Sequence, residues 1–275
     1  MTVVAGLFPW AACCGRPRCR VAPDAHDVRQ DGSRILSHMA GRYNKRSHDI
    51  IWSTLRRVCN RSTFIARLIA ISGDVASFTM WQRAKGFDGG MRCRTRESLW
   101  RTASSSLRSG KVTVLEFGVA AGDATRVWLA MLDNPELRWH GFDTFTGLPD
   151  PWIRGGVHVA EPGTFDAGGV PAQVNDPRVT WHCGLVEETL PRADVDFAPR
   201  LCVLFDLDLY EPSAFALNWL AGRLKKGDLL YFDEAYDPWH ERRLIDEFLD
   251  QGHRLRIVGS TGLAIMFDYQ GGPTA

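Results

Sequence analysis

The sequence has almost no excess of charge of either sign: 33 Lys and Arg stand against 32 Asp and Glu, a formal net charge of +1. Chains that fail to fold combine high net charge with few aromatics, and here aromatics make up 11%, which argues against wholesale disorder. No uninterrupted apolar run approaches the roughly 18 residues of a membrane span, so no membrane partner is expected. The seven cysteines are odd in number and irregular in spacing, and two, Cys183 and Cys202, fall in apparent core strands. That speaks for reduced thiols rather than a disulfide framework. Cys14 and Cys19 lack the second half of a metal site. The short apolar start, Val3 to Cys14, has no positive region before it and makes a poor signal peptide, so a cytoplasmic location is expected. There is no Gly-x-Ser-x-Gly elbow, no Walker loop and no His-x-x-x-His pair, which removes serine hydrolases, P-loop enzymes and zincins.

What is present is enough for one large α/β domain with an appendage: 275 residues, 45% of them hydrophobic. The near-zero balance hides a split. Residues 1 to 110 hold 19 Lys and Arg against 7 Asp and Glu, while residues 111 to 275 hold 14 against 25. A basic half without a nucleic-acid motif reads as a segment that packs against acidic protein surface, so no nucleic-acid partner is expected. Residues 1 to 35 show no sustained period and are expected to be a disordered basic tail. Residues 36 to 95 read as a helical appendage, with Ile50, Ile51, Leu55 and Val58, then Phe64, Leu68 and Ile71, near helical spacing. This appendage is a candidate homo-oligomer contact.

Residues 96 to 275 alternate strand and helix. Strands are expected at Val112–Phe117, Leu137–Asp143, Val179–Cys183, Leu201–Phe205, Leu229–Phe232, His253–Val258 and Leu263–Phe267. Helices are expected at Asp123–Leu132, from Pro212 to about Leu224, and at Glu241–Gln251. Strands joined through helices make a mainly parallel sheet covered on both faces. The last two strands lie too close in sequence for a helical crossover and should pair antiparallel. The expectation is a doubly wound seven-stranded sheet whose last strand is reversed, with ligands beyond the carboxyl ends of its strands.

The residues just after those strands carry the chemistry. The first strand ends Glu116-Phe-Gly118-Val-Ala-Ala-Gly122-Asp-Ala-Thr125, a tight turn that lets a ligand approach the backbone. Its glycine spacing does not suit a dinucleotide pyrophosphate. Glu116 is a carboxylate within an apolar strand, and needs donors or a cation; the amino group of a ligand would serve. The second strand ends at Asp143-Thr144, where a carboxylate can accept both hydroxyls of a ribose. The fourth ends Asp206-Leu-Asp208-Leu-Tyr-Glu211 and the fifth Asp233-Glu234, adjacent in a parallel sheet. So many carboxylates at one edge are costly without a cation or bound protons, and oxygen ligands favour Mg2+ or Ca2+. Glu211 and Asp237 read as helix N-terminal acids. His240 has a satisfied or surface role as its first reading, and His182 a structural one. The Gly/Pro-rich stretch from Pro149 to Pro171, with Trp152, Arg154 and His158, is either a substrate lid or an insertion without structure.

These motifs, with Gly184-Leu-Val-Glu-Glu-Thr-Leu-Pro191 between them, resemble the class I S-adenosylmethionine-dependent methyltransferases, and within them the macrocin (TylF-type) sugar O-methyltransferases, over residues 95 to 268. The resemblance implies the Rossmann-like methyltransferase fold and a cofactor site of Glu116, Gly118, Gly122, Thr125, Asp143 and Thr144. It implies Mg2+ on Asp206, Asp233 and Glu234, with Asp208 as general base. The family's paired aspartates are usually separated by Gly, where this chain has Leu207, and its fifth strand usually ends Asp-Asp, where this chain has Asp233-Glu234. The implied reaction is methyl transfer to a hydroxyl of a small polyhydroxylated acceptor, a sugar of a glycosylated natural product. The alternatives are a catechol or lipid-linked saccharide as acceptor, or a non-catalytic S-adenosylmethionine-binding interaction protein.

Overall fold

A computed structural model describes residues 45–273; the expected basic tail lies outside the described residues. The chain divides into two compact units, residues 1–66 and 67–275. In the first, helix α1 (Lys45–Arg61) runs to the start of helix α2 (Thr63–Ala84). Ile51, Leu55, Val58 and Cys59 recur at helical spacing and Arg56, Arg57 and Arg61 occupy other sides of α1, an amphipathic pattern. The apolar residues Ile51, Trp52 and Leu55 are exposed. By length and composition helix α2 is apolar enough to cross a membrane, a test that a core helix of a soluble protein also passes, and 6% of its most apolar window is buried. Arg67 and Asp74 interrupt the run, so the sequence shows no uninterrupted apolar span.

The second unit is built on an eight-stranded sheet. In chain order its elements are β1 (Met91–Arg92), α3 (Arg96–Ser104), β2 (Val112–Phe117), α4 (Asp123–Met131), β3 (Leu137–Asp143), β4 (Trp152–Arg154), β5 (Val157–Ala160), β6 (Val179–Cys183), α5 (Val186–Thr189), β7 (Arg200–Phe205), α6 (Tyr210–Ala221), β8 (Leu229–Phe232), α7 (Glu241–Asp250), β9 (Arg254–Ser260) and β10 (Ile265–Gly271). The strand order is β1-β9-β10-β8-β7-β2-β3-β6, with β4 and β5 forming a separate hairpin. All pairings in the large sheet are parallel except those of β10, antiparallel to both β8 and β9. The seven expected strands are all present. The eighth, β1, pairs only through Met91 and Arg92 with the β9 edge, too short to leave a periodic signal.

Period-two alternation explains the two layers. Along β7, Leu201, Val203 and Phe205 enter one core with Phe117, Phe232, Leu217 of α6 and Phe248 of α7. Cys202 and Leu204 enter the other with Val114, Trp139, Tyr231, Leu99 of α3 and Trp128 of α4. Each fully buried aromatic or aliphatic side chain contributes about 1.5–3 kcal/mol. Helix α6 starts at Tyr210, two residues before the expected Pro212; proline is tolerated throughout a first turn because those N–H groups have no intrahelical acceptor. The chain leaves β2 toward β3 on one side, and β7 lies on the other. The switch point therefore falls between β2 and β7, beyond their carboxyl ends.

Candidate active site

A cavity of about 1190 Å³ opens at that switch point. Ligand pockets generally hold roughly 300–1,000 Å³, so this one has room for two small molecules side by side. One wall is the turn Gly118–Ala121 with Asp143 and Thr144; the other carries Asp206, Asp208, Asp233, Glu234 and Arg96.

The first wall is fixed by close backbone packing. Gly118 has φ +86, and a Cβ there would sit 1.8 Å from the Asp206 carbonyl oxygen; only glycine lets the β2 turn lie against the end of β7. Gly122, at φ +74, caps α4, and a Cβ on it would press on Pro171 and Val174 at 3.0–3.1 Å. It shapes the turn without lining the cavity. The Asp143 carboxylate accepts the N–H groups of Val119 at 2.7 Å, Ala120 at 2.8 Å and Phe145 at 2.7 Å. Asp143 therefore ties the end of β3 to the glycine turn and presents the same carboxylate to the cavity. The Thr144 hydroxyl donates to the Gly147 carbonyl at 2.8 Å, closing the loop that follows.

Glu116 and Thr125 stand apart from the cavity. Glu116 is 1% exposed, and its Oε2 accepts the Thr125 hydroxyl at 2.5 Å and the Trp139 indole N–H at 2.8 Å. The donors its burial requires thus come from α4 and β3, not from a ligand's amino group. Burial pushes the Glu116 carboxyl up to about 8, against the two hydrogen bonds. It braces the glycine turn from beneath.

The second wall concentrates carboxylates. The backbone N–H of Asp206 donates to the Phe117 carbonyl at 2.8 Å, and that of Asp233 to the Phe205 carbonyl at 3.1 Å, so the sheet ladder itself delivers both side chains to one edge. Asp233 is 4% exposed. Its Oδ1 accepts the Tyr231 hydroxyl and its Oδ2 pairs with the Arg96 guanidinium. Asp206 lies against Asp233, and burial with that neighbour raises its pKa well above the carboxylate range. Asp208 is held at φ +61, a left-handed conformation that costs a non-glycine residue roughly 1–3 kcal/mol and clusters at functional sites. Its carboxyl is pushed to about 7 by burial and by Asp233, while contact with Glu234 works the other way. Glu234 rises to about 9 through burial, then Asp208 and Asp233. Burial and mutual repulsion thus raise both carboxyls, so the cluster shares protons near neutral pH.

These carboxylates do not form a metal centre as they stand. Among the described residues no group of three or more His, Cys, Asp or Glu is arranged to hold an ion. Of the three expected ligands, Asp233 has both oxygens engaged by Tyr231 and Arg96. The cation expected at this edge is met in part by the Arg96 guanidinium, which no motif in the sequence marks.

A hairpin borders the cavity. The stretch from Pro149 to Pro171 holds the hairpin β4–β5, joined by the pairs Trp152–Ala160, Ile153–His158 and Arg154–Val157. Trp152 is 6% exposed, and Trp152 and Ile153 line the cavity. Arg154 Nε lies 2.7 Å from Asp237 Oδ2, and His240 Nε2 donates to the Ile153 carbonyl at 2.9 Å. The hairpin is thus tied to the loop after β8; His240 also lines the cavity, and its Nδ1 is buried without a hydrogen-bond partner. Asp237, expected as a helix-start acid, serves as the buried partner of Arg154. His158 is exposed and faces Glu161 at 3.4 Å, away from the cavity. His182 stacks on Phe142 and contacts His140 at 3.0 Å, a structural role.

Comparison with models of known protein families finds no match, and comparison with curated proteins finds none. Among solved structures the chain is similar to the O-methyltransferase NovP, at 20% identity, 64% of this chain and 79% of that one, with a TM-score of 0.45. It is similar to the apo structure of CalS11, a TDP-rhamnose 3'-O-methyltransferase in calicheamicin biosynthesis, at 27% identity, 62% of this chain and 76% of that one, with a TM-score of 0.44. A third is the S-adenosylhomocysteine-bound methyltransferase PaMTH1 from Podospora anserina, at 14% identity, 72% of this chain and 88% of that one, with a TM-score of 0.42.

Proposed function

We propose that the protein is an S-adenosylmethionine-dependent O-methyltransferase acting on a hydroxyl of a small polyhydroxylated acceptor, a sugar of a glycosylated natural product. The observation that carries this reading is a single cavity, large enough for two ligands, with the Gly118 turn and Asp143 on one wall and Asp208 on the other. Gly118 leaves the backbone open for the cofactor's methionine part, with Gly122, Glu116 and Thr125 supporting the turn from outside. Asp143 offers its remaining lone pairs to the ribose hydroxyls, and Thr144 holds the loop behind it. When bound, the cofactor supplies an electrophilic methyl group on a sulfonium sulfur.

The chain's own task is then to position and activate a hydroxyl. An alcohol reacts poorly until its proton is removed. Asp208, poised near neutrality, takes that proton as the oxygen attacks the methyl carbon and the carbon–sulfur bond breaks. Trp152 and the hairpin exclude water and hold the acceptor in line. The arrangement of Asp206, Asp233 and Glu234 does not fit Mg2+ as it stands, and no step is routed through the ion. A lipid-linked saccharide is the second reading for the acceptor, favoured by the long, exposed, apolar helix α2. The test is turnover with glycosylated acceptors by the wild type and by Asp208→Asn. Loss of methylated product in the variant supports the reading, and an equally active variant removes Asp208 as the base.

A further inference from the structure

Four carboxylates, those of Asp206, Asp208, Asp233 and Glu234, crowd one wall of the cavity together with one cation, Arg96. The side chain of Arg96 is not there by chance of a flexible surface. It is the first residue of α3, and that helix start is fixed by a reciprocal cap: the Thr95 hydroxyl accepts the Ser98 N–H, and the Ser98 hydroxyl accepts the Thr95 N–H. The next turn is anchored by Leu99, fully buried, and by Trp100, which meets the Tyr231 ring edge-on at 5.9 Å between centroids. The helix thus delivers the guanidinium to Asp233 Oδ2 while Tyr231 takes Oδ1. A divalent ion such as Mg2+ demands six ligands at about 2.0–2.1 Å in near-ideal octahedral geometry. To use Asp233 it would have to share an oxygen already held by Tyr231 or by Arg96, whose positive charge would repel it. The Arg96 Nε–H is buried with no hydrogen-bond partner, while the side chain as a whole is 41% exposed at the cavity wall.

We propose that Arg96 is the resident cation of the acidic wall, standing where a divalent metal would otherwise be needed, so that acceptor binding and methyl transfer proceed without one. The proposal rests on the methyltransferase reading above for the reaction, but not for metal exclusion, which binding measures directly. Arg96 balances Asp233, and the exposed part of its side chain orients an acceptor oxygen beside the one that Asp208 deprotonates. It is a positioning residue for the acceptor and for the carboxylates. Unlike a metal, it cannot be removed by a chelator.

The experiment compares the wild type, Arg96→Lys and Arg96→Gln, each checked for folding by its melting curve. Mg2+ and Mn2+ are titrated calorimetrically, and turnover is measured in EDTA and in millimolar Mg2+. The wild type is expected to show no saturable Mg2+ or Mn2+ binding, and turnover within about twofold in the two buffers. Arg96→Gln is expected to lose roughly 100-fold in turnover, the scale of a lost electrostatic donor, and to gain saturable metal binding. Arg96→Lys keeps the charge and should recover part of the loss, a rescue that a merely structural role would not give. Saturable metal binding by the wild type, or its inactivation by EDTA with recovery in Mg2+, overturns the proposal. The metal titration gives its answer even where no methyl transfer is found, so failure of the activity and failure of the proposal remain distinguishable.

Discussion

Replacing Glu116 by Gln keeps the shape of the side chain and the oxygen that accepts from Thr125 and Trp139, but removes the ionisable proton. In the folded protein burial raises this carboxyl from 4.5 to about 8, so the folded state holds a proton that the unfolded chain releases. The sign follows from linkage: the stability it contributes is fully present below the unfolded value and is lost as pH rises through the folded one. At about 1.4 kcal/mol per pH unit, the wild type should fall behind Glu116→Gln by about 3 kcal/mol at pH 7 and about 5 kcal/mol at pH 9, with near equality at pH 4.5. For a domain of this size 1 kcal/mol moves Tm by about 2–4 °C, so the melting curves should separate by roughly 6–12 °C at pH 7. The assay is thermal or urea unfolding of both proteins across pH 4.5 to 9. Parallel pH dependence of the two would refute the claim that Glu116 is buried and protonated beneath the turn.

Other outcomes follow from particular contacts. Gly118→Ala meets the Asp206 carbonyl at 1.8 Å in a left-handed conformation; it should lose about 3 kcal/mol or more in stability and all measurable S-adenosylmethionine binding, read by melting and calorimetry. Asp208→Asn should abolish turnover with nearly unchanged cofactor affinity. In the wild type, log kcat should rise with pH and level off above about 7, as expected for a base that works deprotonated. Arg154→Ala leaves Asp237, 0% exposed, without its ion-pair partner; breaking such a pair costs roughly 3–5 kcal/mol. Release of the hairpin should raise the acceptor KM while the cofactor Kd stays the same.

The sheet was legible because its strands are apolar runs ended by glycines or acids, and their alternation with helices leaves few ways to wind them. The acidic wall was legible for the same reason: Asp206 and Asp233 each follow a strand, and adjacent parallel strands bring their ends together. Arg96 was not, since an arginine opening a helix looks like any solvated residue until the fold turns that helix end toward β8. The partners of Glu116 were equally hidden. They depend on the parallel register of β2 with β3 and on where α4 packs, neither of which shows as periodicity. The β4–β5 hairpin escaped because Gly155 and Gly156 interrupt two strands of three and four residues, too short to alternate visibly. Of Trp152, Arg154 and His158, the residues that stand out in that stretch of the sequence, Trp152 lines the cavity and Arg154 pairs with Asp237, while His158 is exposed beside Glu161.

The claim on which the rest depends is that the cavity at the switch point holds S-adenosylmethionine. Calorimetric titration of S-adenosylmethionine and S-adenosylhomocysteine into the wild type tests it directly, with Gly118→Ala as the control for site. The account predicts saturable one-to-one binding of both ligands by the wild type and none by the variant. Absence of binding of either ligand by wild-type protein shown to be folded would contradict it.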